Sequence, residues 1–224
     1  MTDRITILKN AAAQFDGFTS SIVDVDGLKM HCMRGGSGPA MILLHGFPQD
    51  WYEWRTVMPQ LATSHTVVAV DLRGAGLSDA PENGYAADQL AENVHSLTRR
   101  LALGPARIVG HDIGGWVAYA YARRFPNDTT GATVMETLIP GTTRFADPQL
   151  EVALWHGEFH MVPGLAETMV LDRQEPYFRY FFDIGTRGDD VISDADLQHY
   201  VAAYGDHPHL KAAFETYRSV PENI

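Results

Sequence analysis

An aspartate between glycines is the feature of this sequence best suited to chemistry. An apolar, β-prone run enters a Gly-x-Asp-x-Gly turn made by Gly110, Asp112 and Gly114, and a run rich in small residues leaves it. This order of strand, turn and helix is that of a nucleophile elbow, with aspartate where serine is usual. The turn is sharp, and glycine accepts its backbone angles and close contacts. The alternative interpretation is an ordinary turn in which Asp112 caps a helix.

A carboxylate at this position would do different chemistry from a hydroxyl. Serine needs a neighbouring base, whereas aspartate, with a reference pKa of ~3.9, is already ionised at neutral pH. Because attack on an acyl group would give a reactive anhydride, the expected target is a saturated carbon with a leaving group, as in an epoxide or an alkyl halide. The product would be an alkyl ester of Asp112. Its hydrolysis requires an oxyanion hole and a base.

Two backbone amides are expected to form that hole. One is the amide of Ile113, directly after the nucleophile, and the other comes from the loop after an earlier buried strand, at Phe47. Pro48 follows Phe47 and allows a cis peptide bond there. The alternative for residues 45–48, His-Gly-Phe-Pro, is a plain turn.

The composition restricts the class of protein. The 224 residues are 45% hydrophobic and carry a net charge of −11, which favours a folded protein with small-molecule partners and argues against a nucleic-acid partner. The single cysteine, Cys32, excludes an internal disulfide, and its apolar surroundings predict a buried thiol. No signal peptide or membrane span is recognisable. We therefore expect a cytoplasmic protein with no membrane partner, no cofactor and no metal.

The chain has two parts with different patterns. Residues 18–25 and 28–34 alternate around Asp26-Gly27, which predicts a β-hairpin. Strands alternating with helices then predict an α/β chain with a mostly parallel sheet and helices on both faces. Strands are predicted at 40–44, 65–70, before Asp112 and at 132–136, and helices at 52–61, 86–103 and from Asp112 to about 125. After residue 140 only helical patterns occur, at 150–159, 164–171, 176–184, 195–204 and 211–217.

Three motifs in this order resemble the α/β-hydrolase-fold epoxide hydrolases. They are HGFPQDWYEWR at 45–55, DLRGAGLSD at 71–79 and GHDIGGW at 110–116. The resemblance implies an α/β-hydrolase fold, with a partial core at residues 1–140 and a helical cap domain at 141–224. It also implies that the Asp112 ester forms by opening an epoxide, and that the loop around Arg73 is structural.

In that family the cap supplies two acids that hydrogen-bond the epoxide oxygen, on which charge develops in the transition state. Residues 153–160 and 214–218 resemble a subgroup with a histidine and tyrosine pair, which assigns these roles to His156 and Tyr217. The alternatives are a core histidine and a packing tyrosine. Other tyrosines of this region are expected in the core or at the surface: Tyr177, Tyr180, Tyr200 and Tyr204.

The family mechanism needs two further residues. Glu136 has the place of the acid that orients the catalytic histidine, and the end of a strand is a sensible position for it; the alternative is an exposed loop acid. The histidine itself, the general base, is expected on a strand beyond the cap, and none of the ten histidines has that place. We therefore expect that the family's last two strands are missing.

That absence gives a hypothesis about the whole protein. The strand at 132–136 would form an open sheet edge, which a C-terminal segment or a second chain would have to cover. The polypeptide would then be part of a longer enzyme, and alone it would alkylate Asp112 once without turnover. The rival functions are a haloalkane or haloacid dehalogenase with the same nucleophile and a catalytically dead binding protein.

Overall fold

In a computed structural model, the chain is described at residues 3–142, 155–186 and 191–223. One mixed sheet has the strand order β1-β2-β4-β3-β5-β6. The hairpin β1–β2 and the pair β2–β4 are antiparallel, and the other neighbours are parallel. The strands are β1 Phe18–Val25, β2 Leu28–Gly35, β3 Ala40–Leu44, β4 Thr66–Val70, β5 Ala106–His111 and β6 Thr129–Met135. The predicted hairpin and mostly parallel sheet are confirmed.

Helices come before, between and after the strands along the chain. They are α1 Arg4–Ala13, α2 Met58–Leu61, α3 Ala87–Arg100, α4 Ile113–Arg124, α5 Trp155–Met161, α6 Leu165–Val170, α7 Gln174–Gly185, α8 Asp194–Ala203 and α9 His207–Arg218. The helix predicted at 52–61 is wrong in extent, since a 3-10 turn at Trp51–Trp54 precedes the short α2. Pro59 lies in the first turn of α2. Proline is favoured there because the backbone N–H that it lacks would have no hydrogen-bond partner within the helix.

The core has a layer on each face of the sheet. All five residues of β3 are buried, as expected for a central parallel strand. On one face α3 and α4 pack through apolar stripes that include Leu90, Val94 and Val117. On the other face a cluster around Trp51 and Met58 joins the sheet to α1 and α2. The reduced thiol of Cys32 is buried as predicted, and burial raises its pKa to about 12.

The sheet brings the predicted chemical residues to one edge. Leu44 at the end of β3 pairs with Val70 of β4 and with Gly110 of β5. His111 at the end of β5 pairs with Met135 of β6. The loops that follow these four neighbouring strands therefore leave the sheet together at its carboxyl edge, where open α/β sheets hold their ligands.

Helices from the second part of the chain cover this edge. Phe178 of α7, Leu197 of α8 and Phe214 of α9 form a buried cluster with Ala75, and Phe47 packs against it. The helices predicted at 164–171, 176–184, 195–204 and 211–217 correspond to α6–α9. The one predicted at 150–159 lies partly outside the described residues, and α5 begins at Trp155. The division into a core at 1–140 and a cap at 141–224 stays a prediction.

The N-terminal helix α1 has no counterpart in the sequence prediction. Arg4 fixes it, because its guanidinium donates to the carbonyls of Ala202 and Ala203 at the end of α8, at 2.8 and 3.1 Å, and to Gly76 at 2.7 Å. Only Leu8 and Ala12 of α1 are buried. The helix is therefore positioned by contacts with residues about 200 positions away in the sequence. No local sequence pattern predicts such contacts.

Strand β6 lies at the border of the sheet. Within the described part of the chain it pairs with β5 alone, and its residues alternate between partly buried and exposed, with Val134 40% exposed. The open edge that the sequence predicts is present among these residues. What covers it stays a prediction.

Candidate active site

Asp112 stands at the turn between β5 and α4. Its backbone has φ 50° and ψ −121°, a conformation that residues other than glycine rarely adopt. The side chain makes no capping hydrogen bond to the helix, so the alternative of an ordinary helix cap is wrong. The carboxylate instead leaves the helix axis and faces the loop after β3. Such backbone strain is typical of functional sites.

Glycines make room for this turn. A Cβ on Gly46 would lie 2.4 Å from the Cβ of Asp112 and 2.7 Å from its Oδ2. A Cβ on Gly114 would lie 2.2 Å from the carbonyl oxygen of Leu44. Both approaches are far inside van der Waals contact. Glycine at these positions is therefore what allows the elbow and the loop after β3 to meet.

The two predicted amides both act on the carboxylate of Asp112. The amide of Phe47 donates to Oδ2 of Asp112 at 3.0 Å. The amide of Ile113, like that of Phe47, lowers the pKa of Asp112. Burial acts in the opposite direction and is the larger effect, so the pKa of Asp112 is raised to about 6. The Phe47–Pro48 peptide bond is cis, as the sequence allows.

Side chains fix the backbone of this loop. Nδ1 of His45 donates to the carbonyl of Gly46 at 2.9 Å, while its Nε2 accepts from the amide of Leu72 at 3.0 Å. The carbonyl of Gly46 and the amide of Phe47 belong to one peptide plane. His45 at one end and Asp112 at the other therefore hold that plane in place.

A second pair of side chains lies beside Asp112. Oε1 of Glu53 is 2.7 Å from Nδ1 of His111, the residue before Asp112, and Oε2 of Glu53 accepts from the amide of Gly46 at 3.2 Å. The pKa of His111 is raised: burial lowers it, but the carboxylate of Glu53, followed by those of Asp112 and Glu136, outweighs burial. Sequence reasoning placed His111 beside the site but missed Glu53. Its position in the motif at 45–55 was the available signal.

The residues predicted as ring-opening acids lie on two helices that cover the carboxyl edge of the sheet: His156 on α5 and Tyr217 on α9. The Tyr217 side chain is 6% exposed, and its ring is 6.1 Å from that of Phe47 and 5.9 Å from that of His156, between centroids. Burial first, then the charge of Asp112, raises the pKa of Tyr217 well above its ordinary value. Burial lowers the pKa of His156. At neutral pH both side chains are therefore neutral and can donate a hydrogen bond.

A third polar pair lies among the same helices, and sequence reasoning missed it. Nε2 of His160 lies 2.6 Å from the hydroxyl of Tyr177, and the His160 ring is 4.5 Å from that of Tyr217. His160 is fully buried, which lowers its pKa to about 2, so it is neutral at working pH. No local sequence pattern indicates this pair, because its members are 17 residues apart on different helices.

The other tyrosines have the core or surface positions that were expected. Tyr180 is exposed, Tyr200 is buried, and buried Tyr204 donates from its hydroxyl to the carbonyl of Gln49 at 2.6 Å. Tyr204 follows α8, and this helix is tied to the same loop by Nε2 of His199, which lies 2.8 and 3.0 Å from the carboxylate oxygens of Asp50. Both contacts join α8 and the residue after it to the loop that follows β3.

Glu136 follows β6 directly, at the end of the strand beside the elbow. Its φ is 46°, again in the left-handed region, and its side chain is exposed. The exposure agrees with the alternative of a loop acid, while the position at the carboxyl edge and the effect of its charge on His111 agree with a role at the site. The orienting role of Glu136 stays a prediction.

Comparison with known proteins defines the class. A family described as alpha/beta hydrolase fold matches residues 39–177. The chain therefore belongs to the α/β hydrolase family. The described residues contain no helix long and apolar enough to cross a membrane. They also contain no group of three or more histidine, cysteine or acidic side chains arranged for a metal ion.

Particular relatives lie in two enzyme groups. The chain is 33% identical to a fluoroacetate dehalogenase from Burkholderia sp over 92% of its own length and 70% of the relative. It is 36% identical to a soluble epoxide hydrolase from Corynebacterium sp. (strain C12) over 79% of its length and 64% of the relative. The crystal structure of wild-type Cfl2 from Burkholderia cenocepacia superposes with a TM-score of 0.88 at 34% identity, covering 94% of this chain and 74% of that one.

Proposed function

We propose that this chain carries the alkylation site of an epoxide hydrolase, which converts an oxirane into a vicinal diol through an ester of Asp112. The observation that supports this most is the carboxylate of Asp112, held at the elbow with Oδ2 3.0 Å from the amide of Phe47. An ionised carboxylate with one oxygen engaged by backbone amides has the other oxygen available to attack a saturated carbon.

In the first half-reaction, a carboxylate oxygen of Asp112 bonds to a ring carbon as the carbon–oxygen bond of the epoxide breaks. The electron pair of that bond goes to the epoxide oxygen. Tyr217 and His156 donate hydrogen bonds to this oxygen as its charge develops, which lowers the barrier without binding the substrate more tightly. The neutral state of both side chains supports these roles.

In the second half-reaction, water attacks the carboxyl carbon of the Asp112 ester. The oxyanion then forms on an oxygen of Asp112 itself, where the amide of Phe47 already donates a hydrogen bond and the amide of Ile113 favours negative charge. The step also needs a general base, which takes a proton from the attacking water. The intermediate then collapses: the bond between the carboxyl carbon and the ester oxygen on the substrate breaks, the base returns the proton to that oxygen, and the diol leaves as the carboxylate of Asp112 is regenerated. We propose that a segment or chain beyond residues 1–224 supplies this base, because the histidines nearest to Asp112 have other partners or are buried and neutral.

A dehalogenase is the second candidate, favoured by the similarity to the Burkholderia fluoroacetate dehalogenase. Two contacts oppose it. Nε1 of Trp116 donates to the carbonyl of Leu138 at 2.9 Å, and Nε1 of Trp155 donates to the hydroxyl of Tyr180 at 3.1 Å. Both indole donors are thus engaged away from a leaving halide. The residues that follow Asp112 also carry no positive charge for a substrate carboxylate.

Parallel incubations separate the two functions. The 224-residue chain is treated with styrene oxide, with fluoroacetate and with 1-chlorobutane, and intact mass and released halide are measured over time. Epoxide hydrolase chemistry predicts one epoxide adduct per chain and no halide. Fluoride or chloride release without an epoxide adduct would identify a dehalogenase, and no reaction with any probe would favour a binding protein. The matched control is Asp112→Asn, for which we expect no adduct.

A further inference from the structure

Glu53 connects the two backbone segments that form the candidate site. It lies on the 3-10 turn Trp51–Trp54, and its side chain is 12% exposed. Its two carboxylate oxygens have different partners, the amide of Gly46 at 3.2 Å and Nδ1 of His111 at 2.7 Å. Gly46 directly precedes the hole residue Phe47, and His111 directly precedes the nucleophile. One buried carboxylate therefore touches both neighbours of the site.

The backbone that carries Glu53 is itself fixed. The amide of Trp51 donates to Oδ1 of the buried Asp71 at 2.9 Å, and the side chain of Asp50 accepts from the amide of Tyr52 at 3.1 Å. A carboxylate on such an anchored turn loses little freedom when it binds two partners. Glu53 is therefore placed to hold its partners, rather than to follow their movement.

The contact with His111 is a close pair of a carboxylate and an imidazole. Nδ1 of His111 is buried and lies within ion-pair distance of Glu53, but without the alignment of a good hydrogen bond. Burial disfavours the imidazolium form, and the carboxylate of Glu53 is the largest influence in its favour, ahead of Asp112 and Glu136. A cation at His111 in turn favours the ionised form of Asp112.

We propose that Glu53 is a positioning residue for the alkylation of Asp112: it fixes the Gly46 amide beside the oxyanion hole and holds His111 as a cation next to the nucleophile. Glu53, His111 and Asp112 then form a row of alternating charges. The other groups that act on this row are Glu136 at His111, and the amides of Phe47 and Ile113 at Asp112. The charge of Glu53 also acts on Asp112 directly and disfavours its ionised form, but less strongly than His111 favours it. This inference rests on the proposed function in one respect, since alkylation is the reaction that the row would promote.

Two measurements on the 224-residue chain test it. The first is the titration of the His111 imidazole by NMR, assigned with His111→Gln, which needs no substrate. The second is the pH dependence of styrene oxide adduct formation. The variants are Glu53→Gln, which keeps an acceptor for the Gly46 amide but loses the charge, and Glu53→Ala, which loses both. Glu92→Gln is the matched control, because Glu92 lies in an exposed ion pair with Arg124.

In the wild type we expect His111 to titrate above the ordinary histidine range. In Glu53→Gln the midpoint of the His111 titration should move to lower pH. The acid limb of the alkylation profile should then move to higher pH, and the plateau rate of alkylation should fall about tenfold. Glu53→Ala should lose roughly a hundredfold because the loop is also released. Glu92→Gln should match the wild type in both measurements.

An ordinary or low midpoint for wild-type His111 would overturn the inference without any variant. So would an unchanged His111 midpoint in Glu53→Gln, even if the rate fell, because the loss would then be merely structural. If the wild type forms no adduct while the His111 midpoint still moves in Glu53→Gln, the proposed function fails and the electrostatic link is supported.

Discussion

At the elbow, Asp112 and the two amides that bind it are positioned by the backbone, whereas in the helical layer above them polar atoms are positioned by side chains far apart in sequence. Close contacts at Gly46 and Gly114 restrict the backbone conformation of the elbow. The pair His160–Tyr177, by contrast, depends on the packing of α5 against α7. Small backbone changes should therefore damage the first region, and the second should respond to paired side-chain changes.

The largest effect is expected from Gly46→Ala. The new Cβ would lie 2.4 Å from the Cβ of Asp112, so either the nucleophile or the hole must move. Styrene oxide adduct formation should fall roughly 10²–10³-fold, as for loss of a hole donor. Gly185→Ala on α7 is the matched control, because its Cβ would meet no atom within 4 Å. A rate for Gly46→Ala within twofold of wild type would show that the backbone at Gly46 does not position the elbow.

Tyr217→Phe tests the layer above the nucleophile. It removes one proposed donor to the epoxide oxygen and keeps the buried ring, so the fold should survive. We expect the alkylation rate to fall about 10²-fold. Tyr119→Phe serves as control, since Tyr119 is on the exposed side of α4. An equal loss in both variants, or none in Tyr217→Phe, would remove Tyr217 from the mechanism.

The pH dependence follows from the pKa of Asp112, which burial raises to about 6. In the proposed mechanism the ionised carboxylate is the nucleophile, so the alkylation rate should rise with pH through that value and level off above it. Below it, the rate should fall about tenfold per pH unit. Rates of adduct formation between pH 4 and 8 measure this. A midpoint near that of an ordinary aspartate would show that burial has no effect on the nucleophile.

The smallest effect concerns stability alone. His160→Phe should lower the free energy of unfolding by about 1–2 kcal/mol, because it leaves the hydroxyl of Tyr177 without its partner. The double variant with Tyr177→Phe should recover part of that loss. Urea denaturation of the two single variants and the double variant gives the coupling. Strictly additive losses would show that the pair contributes nothing beyond packing.

These differences explain what could be predicted from the sequence. The elbow, the Ile113 and Phe47 amides and the parallel sheet follow from glycine spacing and apolar runs, which are local signals. The orientation of Glu53 towards His111 depends on how the 3-10 turn packs against β3 and β4. Arg4 donates to carbonyls at the end of α8, about 200 positions away. Patterns of a single element carry no information on such contacts. The ring-opening roles of His156 and Tyr217 came from family resemblance and stay predictions.

The most direct test of the account is the site of alkylation. The chain is incubated with styrene oxide at pH 8, digested and mapped by tandem mass spectrometry, with Asp112→Asn in parallel. We expect one adduct, an ester on Asp112, and no adduct in Asp112→Asn. An adduct on another carboxylate such as Glu136, or one that persists in Asp112→Asn, would contradict it.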